Sequence, residues 1–383
     1  MLLNPAFVYA ATWSFVLLLY SLRLSDLLEP LETATVVLVI GTSVSFVLGW
    51  VLESLPHHGR LAVPKVNWPV MGGIITSDQA GRRLRVTWIL FVLGISFEIA
   101  YFGGTPLLGI LGIGPAIVYI DFGIHGFHGL VNSLFFASCV VTFARRLLGS
   151  SKGTLLLMLA SFGYPIIVMS RQVLISLLLQ YMFVYFSVRR PSARVFVRAG
   201  FFFIAAFLIF GYLGDIRSDR DNLIAVAAPS FDYPDWLPSA FIWFYIYICT
   251  PLNNVNFNIN ISPNYFPIET AGSLIPSFAR DAFLNSMGGS QDWDLVSGNF
   301  NVSSLLQSLL TDFGVSGAIV FTLLCGLGFS GVLRRSATSP GAFFAVVILM
   351  HGVALSFFGN LLFQLVFISE IFIVAWIVAR SHR

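Results

Sequence analysis

The chain has 383 residues, 57% of them hydrophobic and only 10% charged, against about 25% charged in a soluble domain. A mean hydropathy of +0.86 and 38 phenylalanines point the same way. This composition excludes a soluble enzyme, a nucleic-acid binder and a disordered chain, and a net charge of +3 is too small to argue for an acidic partner.

No Lys or Arg precedes the first apolar run, Pro5 to Leu22, so it lacks the basic head of a signal peptide and reads as a first span. Further apolar runs of membrane-spanning length fall at 33–52, 86–103, 130–148, 154–170, 172–188, 199–214, 313–333, 341–358 and 361–379. The spacing predicts an all-α polytopic membrane protein with about ten transmembrane helices. The runs 154–170 and 172–188 are separated by Arg171 alone. As one helix they would reach about 52 Å, far more than a bilayer core of about 30 Å. They also carry basic clusters at both far ends, so they read as a hairpin with Arg171 near its turn.

All but five of the 21 basic residues fall in 53–85, 145–153, 189–198, Arg334-Arg335 and the tail from Arg380, which the positive-inside rule makes cytoplasmic, together with both termini. The five on the outer side are Arg23, Arg171, Arg217, Arg220 and Arg280, among most of the acids. The run Ser239 to Leu252 is too short to span and would reverse the later parity. It is read as a re-entrant or interfacial segment inside one large outer region. The chain then divides into spans one to seven (1–214), the outer region (215–311) and spans eight to ten (312–383).

Five groups of residues could carry chemistry. Arg171 is either a snorkelling turn residue or an anion ligand at the membrane boundary, since a guanidinium fork matches phosphate oxygens. Arg217 and Arg220, three apart, share a helix face, where Asp215, Asp219 and Asp221 could equally pair with them. Tyr247, Asn253 and Asn254, with Asn256, Asn258, Asn260 and Asn264, are neutral hydrogen-bonding groups suited to sugar hydroxyls, or simply turn formers. His125 and His128 with Asp121 lie in a Gly-rich outer loop and suit a base better than a metal site. Asp312 stands where the outer region re-enters the membrane, near an expected helix N-cap. Glu98, Glu370 and His351 lie within spans but are too few and too scattered in sequence to argue a pump. The three cysteines, Cys139, Cys249 and Cys325, have no ligand spacing.

Four places together resemble the bacterial O-antigen and oligosaccharide repeat-unit polymerases of the Wzy type. They are Gly123 to Leu130 with its Gly–Phe–His–Gly–Leu ending, Ser170-Arg171, Gly214 to Arg217 followed by Tyr247 and Pro251 to Asn254, and Asp312 to Gly317 with Gly326 beyond. The order of spans and the long outer loop in the second half match as well. The resemblance implies a GT-C-like membrane glycosyltransferase in a bacterial inner membrane, with its active site on the periplasmic face. It would need no cofactor or metal. It would polymerise undecaprenyl-diphosphate-linked oligosaccharide, which serves as donor and acceptor, alongside a flippase and a chain-length regulator and without nucleic acid. Related O-antigen ligases act on the same donor, and a transporter without chemistry is the competing class. No carboxylate of the sequence matches an expected base. Arg171, Arg217, His128 and Asp312 are the expected catalytic residues, with Arg220, Arg280, His125, Tyr247, Asn253 and Asn254 at the substrate; His128, His125, Asp312 and Asp121 all stay open as the base.

Overall fold

Short polar residues set where the helices begin. Asn4, Asn67, Ser77, Thr105, Ser170, Ser304 and Ser339 each precede a helix, and each side-chain oxygen accepts a backbone N–H of its first turn. The computed structural model describes residues 4–58, 66–119, 121–149, 153–189, 220–288 and 293–380, with isolated positions between 194 and 215. The helices are α1 (Pro5–Ser21), α2 (Thr33–His58), α3 (Trp68–Ile75), α4 (Asp78–Phe102), α5 (Pro106–Ile110), α6 (Phe127–Leu147), α7 (Thr154–Ala160), α8 (Gly163–Ile167) and α9 (Arg171–Val188). They continue as α10 (Arg220–Ala227), α11 (Ala240–Phe257), α12 (Ile268–Gly272), α13 (Ser277–Ser286), α14 (Leu305–Arg335), α15 (Pro340–Ala354), a 3-10 turn at Leu361–Phe363, and α16 (Leu365–Ile377). Among the described residues there is no sheet, only an isolated antiparallel bridge between Ser25 and Pro229.

Five helical stretches are long and apolar enough to cross a membrane: Thr33–Pro56, Asp78–Ile110, Phe127–Leu147, Arg171–Val188 and Leu305–Arg335. Four shorter apolar stretches accompany them: Pro5–Ser21, Thr154–Ile167, Pro340–Ala354 and Leu365–Ile377. The expected run 199–214 lies outside the described residues, apart from isolated positions. The expected loop 53–85 is partly helical instead, because α2 runs on past its apolar stretch and α4 starts at Asp78, well before its own. A charged turn can continue a helix into water; only the apolar count stops at the charge. The run 154–170 breaks at Ser161-Phe162 into α7 and α8, and Arg171 opens α9 after a turn in which Met169 has a positive φ.

The buried apolar residues form two clusters. One joins α4, α6, α9, α15 and α16; the other joins α1, α2, α11 and α14. In the second, α2 and α14 approach through small residues. A Cβ on Gly49 would fall 2.1 Å from the Leu323 carbonyl oxygen, and one on Gly326 would fall 2.2 Å from that of Phe46. Ser54 and Ser330 hydrogen-bond across the same seam at 2.9 Å. Small residues four apart let two backbones touch, which is how helices associate where lipid removes the hydrophobic incentive.

The bundle has two chemically distinct ends. At one, Arg334 pairs with Glu53 at 3.0 Å, and Arg83 donates to the carbonyls of Trp376 and Ala379 at 2.8 Å each. At the same end Arg145 donates to Ile75 and Ser77, and Arg189 to Leu147. The opposite end carries α10 to α13. There α11 follows the loop between α1 and α2: Tyr245 accepts from Leu24 N, Asn253 binds Leu27 and Glu29, and Asn256 binds Pro30 and Glu32. The helix is five residues longer at its C-terminal end than the apolar run to Leu252, ending at Phe257. Asn side chains anchored to neighbouring loops hold those polar turns in place.

Candidate functional site

The end opposite the basic clusters is built around a buried acid. Glu98 lies in the last turns of α4 and is fully buried. Its Oε1 accepts from the backbone N–H of Ile124 at 3.0 Å, and its Oε2 lies 2.9 Å from Nδ1 of His128, in the first turn of α6. An ionised carboxylate only accepts, so Nδ1 carries the hydrogen and Nε2 is left with a lone pair. Gly123 makes the approach possible: its φ is +117°, and a Cβ there would fall 2.5 Å from the imidazole ring. Phe122 meets the same ring edge-on at 5.9 Å between centroids. The His128 side chain is 27% exposed, so its far edge is open to solvent. A histidine oriented by a buried carboxylate is the arrangement of a general base.

The second group stands beside the same loop. A Cβ on Gly126 would fall 2.6 Å from the Phe278 ring, which places α13 against the start of α6. From α13, Arg280 donates through Nε to the Gly272 carbonyl at 2.9 Å. Glu269, on α12, is close enough for Arg280 and Asp312 both to act on its charge. Burial pushes the Glu269 carboxyl up from its ordinary value, the Asp312 charge adds to the rise, and Arg280 partly offsets it. Its Oε1 is buried without a hydrogen-bond partner.

Asp312 does not cap its own helix. Ser304 does that, and α14 is helical through Asp312 before breaking at Gly314 (φ 68°, ψ −178°). The break turns the buried Asp312 carboxylate onto another element: its two oxygens accept from Glu269 N and Thr270 N at 2.8 and 2.9 Å and so cap α12. Its geometry is that of a structural clamp.

The asparagines also hold backbone. Asn253 binds Tyr20, Glu29 N and the Leu27 carbonyl, whereas Asn254 binds the carbonyls of Phe300 and Val302 and the N–H of Val296. Both side chains are buried and their amides are turned onto the protein's own groups. Tyr247 sits among the rings of Trp243, Phe300 and Phe358, at 5.4 to 6.2 Å. Arg220 donates to the carbonyls of Pro234, Asp235 and Leu237 and pairs loosely with the exposed Asp221 and Asp235, so it ties down the loop before α11.

Arg171, the first residue of α9, is exposed and makes no ion pair among the described residues. His125 and Asp121 are exposed and stand outside the Glu98–His128 pair. Arg217 lies outside the described residues. The structure therefore pairs His128 with Glu98 and sets α13, which carries Arg280 beside Glu269, against the loop before α6 through Phe278; sequence reasoning did not place Glu98 or Glu269 there. Glu98 had a readable signal: α4 ends and α6 begins at the same face, so an acid in the last turns of one is level with a histidine in the first turn of the other. Among the described residues no three His, Cys, Asp or Glu side chains converge on a point. No protein-family model, curated protein or solved structure matches the chain.

Proposed function

We propose that the chain is a membrane glycosyltransferase of the Wzy type, polymerising lipid-diphosphate-linked oligosaccharide at the face opposite its basic clusters. That face is periplasmic by the positive-inside rule, in a bacterial inner membrane with about ten spans. The observation that carries the reading is the carboxylate-oriented His128 beside the Arg280 helix. His128 Nε2 takes the proton of the acceptor hydroxyl as its oxygen bonds to the anomeric carbon. The bond from that carbon to the diphosphate oxygen breaks, and its electron pair leaves with the diphosphate. Arg280, with Arg171 and Arg217, supplies fixed positive charge to the leaving group. Glu98 fixes the tautomer and stabilises the imidazolium.

The test is turnover of a lipid-linked repeat unit by the purified protein in lipid. The expected product is a ladder of lipid-linked polymer, formed equally in excess EDTA because arginines rather than a divalent cation neutralise the diphosphate. Loss of activity on chelation, restored by Mg²⁺ or Mn²⁺, overturns the arginine assignment. A deletion strain with single-repeat caps fits a polymerase, one that accumulates lipid-linked polymer identifies a ligase instead, and absence of turnover in vitro leaves a transporter.

A further inference from the structure

Glu370 and His351 are distant in sequence and belong to neither group described above. In the folded chain they meet the same helix. Gln180 Nε2 donates to Glu370 Oε2 at 3.0 Å, and His351 Nε2 lies 2.9 Å from Ser176 Oγ. Ser176 and Gln180 are four apart on α9 and so share a face, one turn from each other. The level is repeated on α16, where the Phe367 ring stands 4.6 Å from that of His351 and Glu370 is three residues further on. Two polar pairs are therefore stacked one turn apart between α9, α15 and α16. All four side chains are fully buried. Gln180 is nine residues from Arg171 and nine from Arg189, so the Glu370 pair stands about 14 Å from either end of α9, at its midpoint.

The hydrogen bonds of the lower pair do not close if Glu370 is ionised. A carboxylate offers only acceptors, and the remaining oxygen of the Gln180 amide is an acceptor too. Glu370 Oε1 and Gln180 Oε1 are both buried without a partner. A single hydrogen on Glu370 supplies the missing donor. Among the described residues no Arg or Lys pairs with Glu370 to support a charge. The Glu370 charge reaches Cys139 of α6, beside which stands Tyr181 of α9, while His351 of α15 packs on Phe367, three residues before Glu370 on α16. The ionisable residues of α4, which also packs on α16, stand near its two ends: Asp78, Arg82, Arg83 and Arg85 at one, with Arg83 on the Trp376 and Ala379 carbonyls, and Glu98 on His128 at the other.

We propose that Glu370 is a proton-binding site in the middle of the bundle, holding a hydrogen shared with the Gln180 amide, one helical turn along α9 from the His351–Ser176 pair. Buried ionisable groups inside a membrane bundle mark such sites by their cost alone, and here the donor count adds an independent reason. The site stands whether or not the glycosyltransferase reading does, because none of its residues belongs to that machinery.

Infrared spectroscopy of the full chain in lipid tests it. At neutral pH the wild type should show a carboxylic C=O band that Glu370→Gln lacks; no such difference overturns the proposal. Gln180→Leu should move that band to higher wavenumber, as a carboxyl that has lost its hydrogen-bond partner does; an unmoved band overturns the pairing. If Glu370→Gln does not accumulate, the Gln180→Leu shift identifies the band and decides.

Discussion

At the scale of single residues, the decisive quantity is how much hydrogen-bonding capacity a side chain has left after folding. Asn253, Asn254 and Asp312 have spent theirs on backbone, whereas His128 keeps one nitrogen free. Asn253→Ala should therefore cost about 1–3 kcal/mol of stability, since it strands buried partners, and should lower the melting temperature more than the turnover per folded molecule. His128→Ala should lower turnover per folded molecule by about 10²–10⁴-fold and also lower the melting temperature, since it strands the buried Glu98 oxygen, and Glu98→Gln should lower turnover as well because an amide cannot stabilise the imidazolium. Equal turnover of His128→Ala and wild type would remove the base. Arg280→Lys should recover part of what Arg280→Ala loses, since the charge stays and the fork goes. Glu269 adds a pH signature. Its carboxyl is raised in the folded chain, so its contribution to stability is present below the ordinary carboxylate range and is lost as pH rises through the folded value. Glu269→Gln should accordingly melt higher than wild type at neutral pH, with the difference vanishing in acid. A difference independent of pH would show that burial of the charge is not the cause.

At the scale of elements, two glycines in α14 do different work. Gly326 admits the backbone of α2, and a leucine there would meet the Phe46 carbonyl, so Gly326→Leu should separate the two helices and prevent accumulation of folded protein. Gly314 supplies a conformation essentially closed to other residues, so Gly314→Ala should cost about 1–3 kcal/mol. It should also pull Asp312 away from α12 and loosen Glu269 and Arg280 without touching His128. Protease sensitivity appearing first in 268–288 is the expected readout, and uniform destabilisation would contradict that linkage. The helix α11 shows why short apolar runs are poor guides to length. Its apolar part ends near Leu252, yet the helix continues through Asn253–Phe257 because two loops, that between α1 and α2 and that before α14, accept its side chains.

At the scale of the whole molecule, sidedness is the claim most easily checked. Ser286 is exposed on α13, and Thr338 is exposed in the turn between α14 and α15, at the opposite end of the bundle. The native cysteines are buried at positions 139 and 249 and partly buried at 325. In intact cells an impermeant thiol reagent should label Ser286→Cys and not Thr338→Cys until the membrane is opened. The reverse pattern would invert the orientation and place His128 and Arg280 on the cytoplasmic side.

Sequence by itself determined the solvent and the broad architecture of this protein. Apolar length and the clustering of Arg and Lys are additive along the chain, so helix positions such as α1, α6 and α9, and the hairpin turn at Arg171, were legible without any contact being known. Tertiary structure alone decided which polar residues are spent and which are available. A carboxylate is satisfied by whatever donors the fold delivers to it, and those donors come from far along the chain: Glu98 finds His128, Asp312 finds α12, and Glu370 finds Gln180. Residues that looked scattered in sequence, such as His351 and Glu370, meet one helix because helical periodicity sets Ser176 and Gln180 on one face of α9. No spacing within a single segment could have shown that.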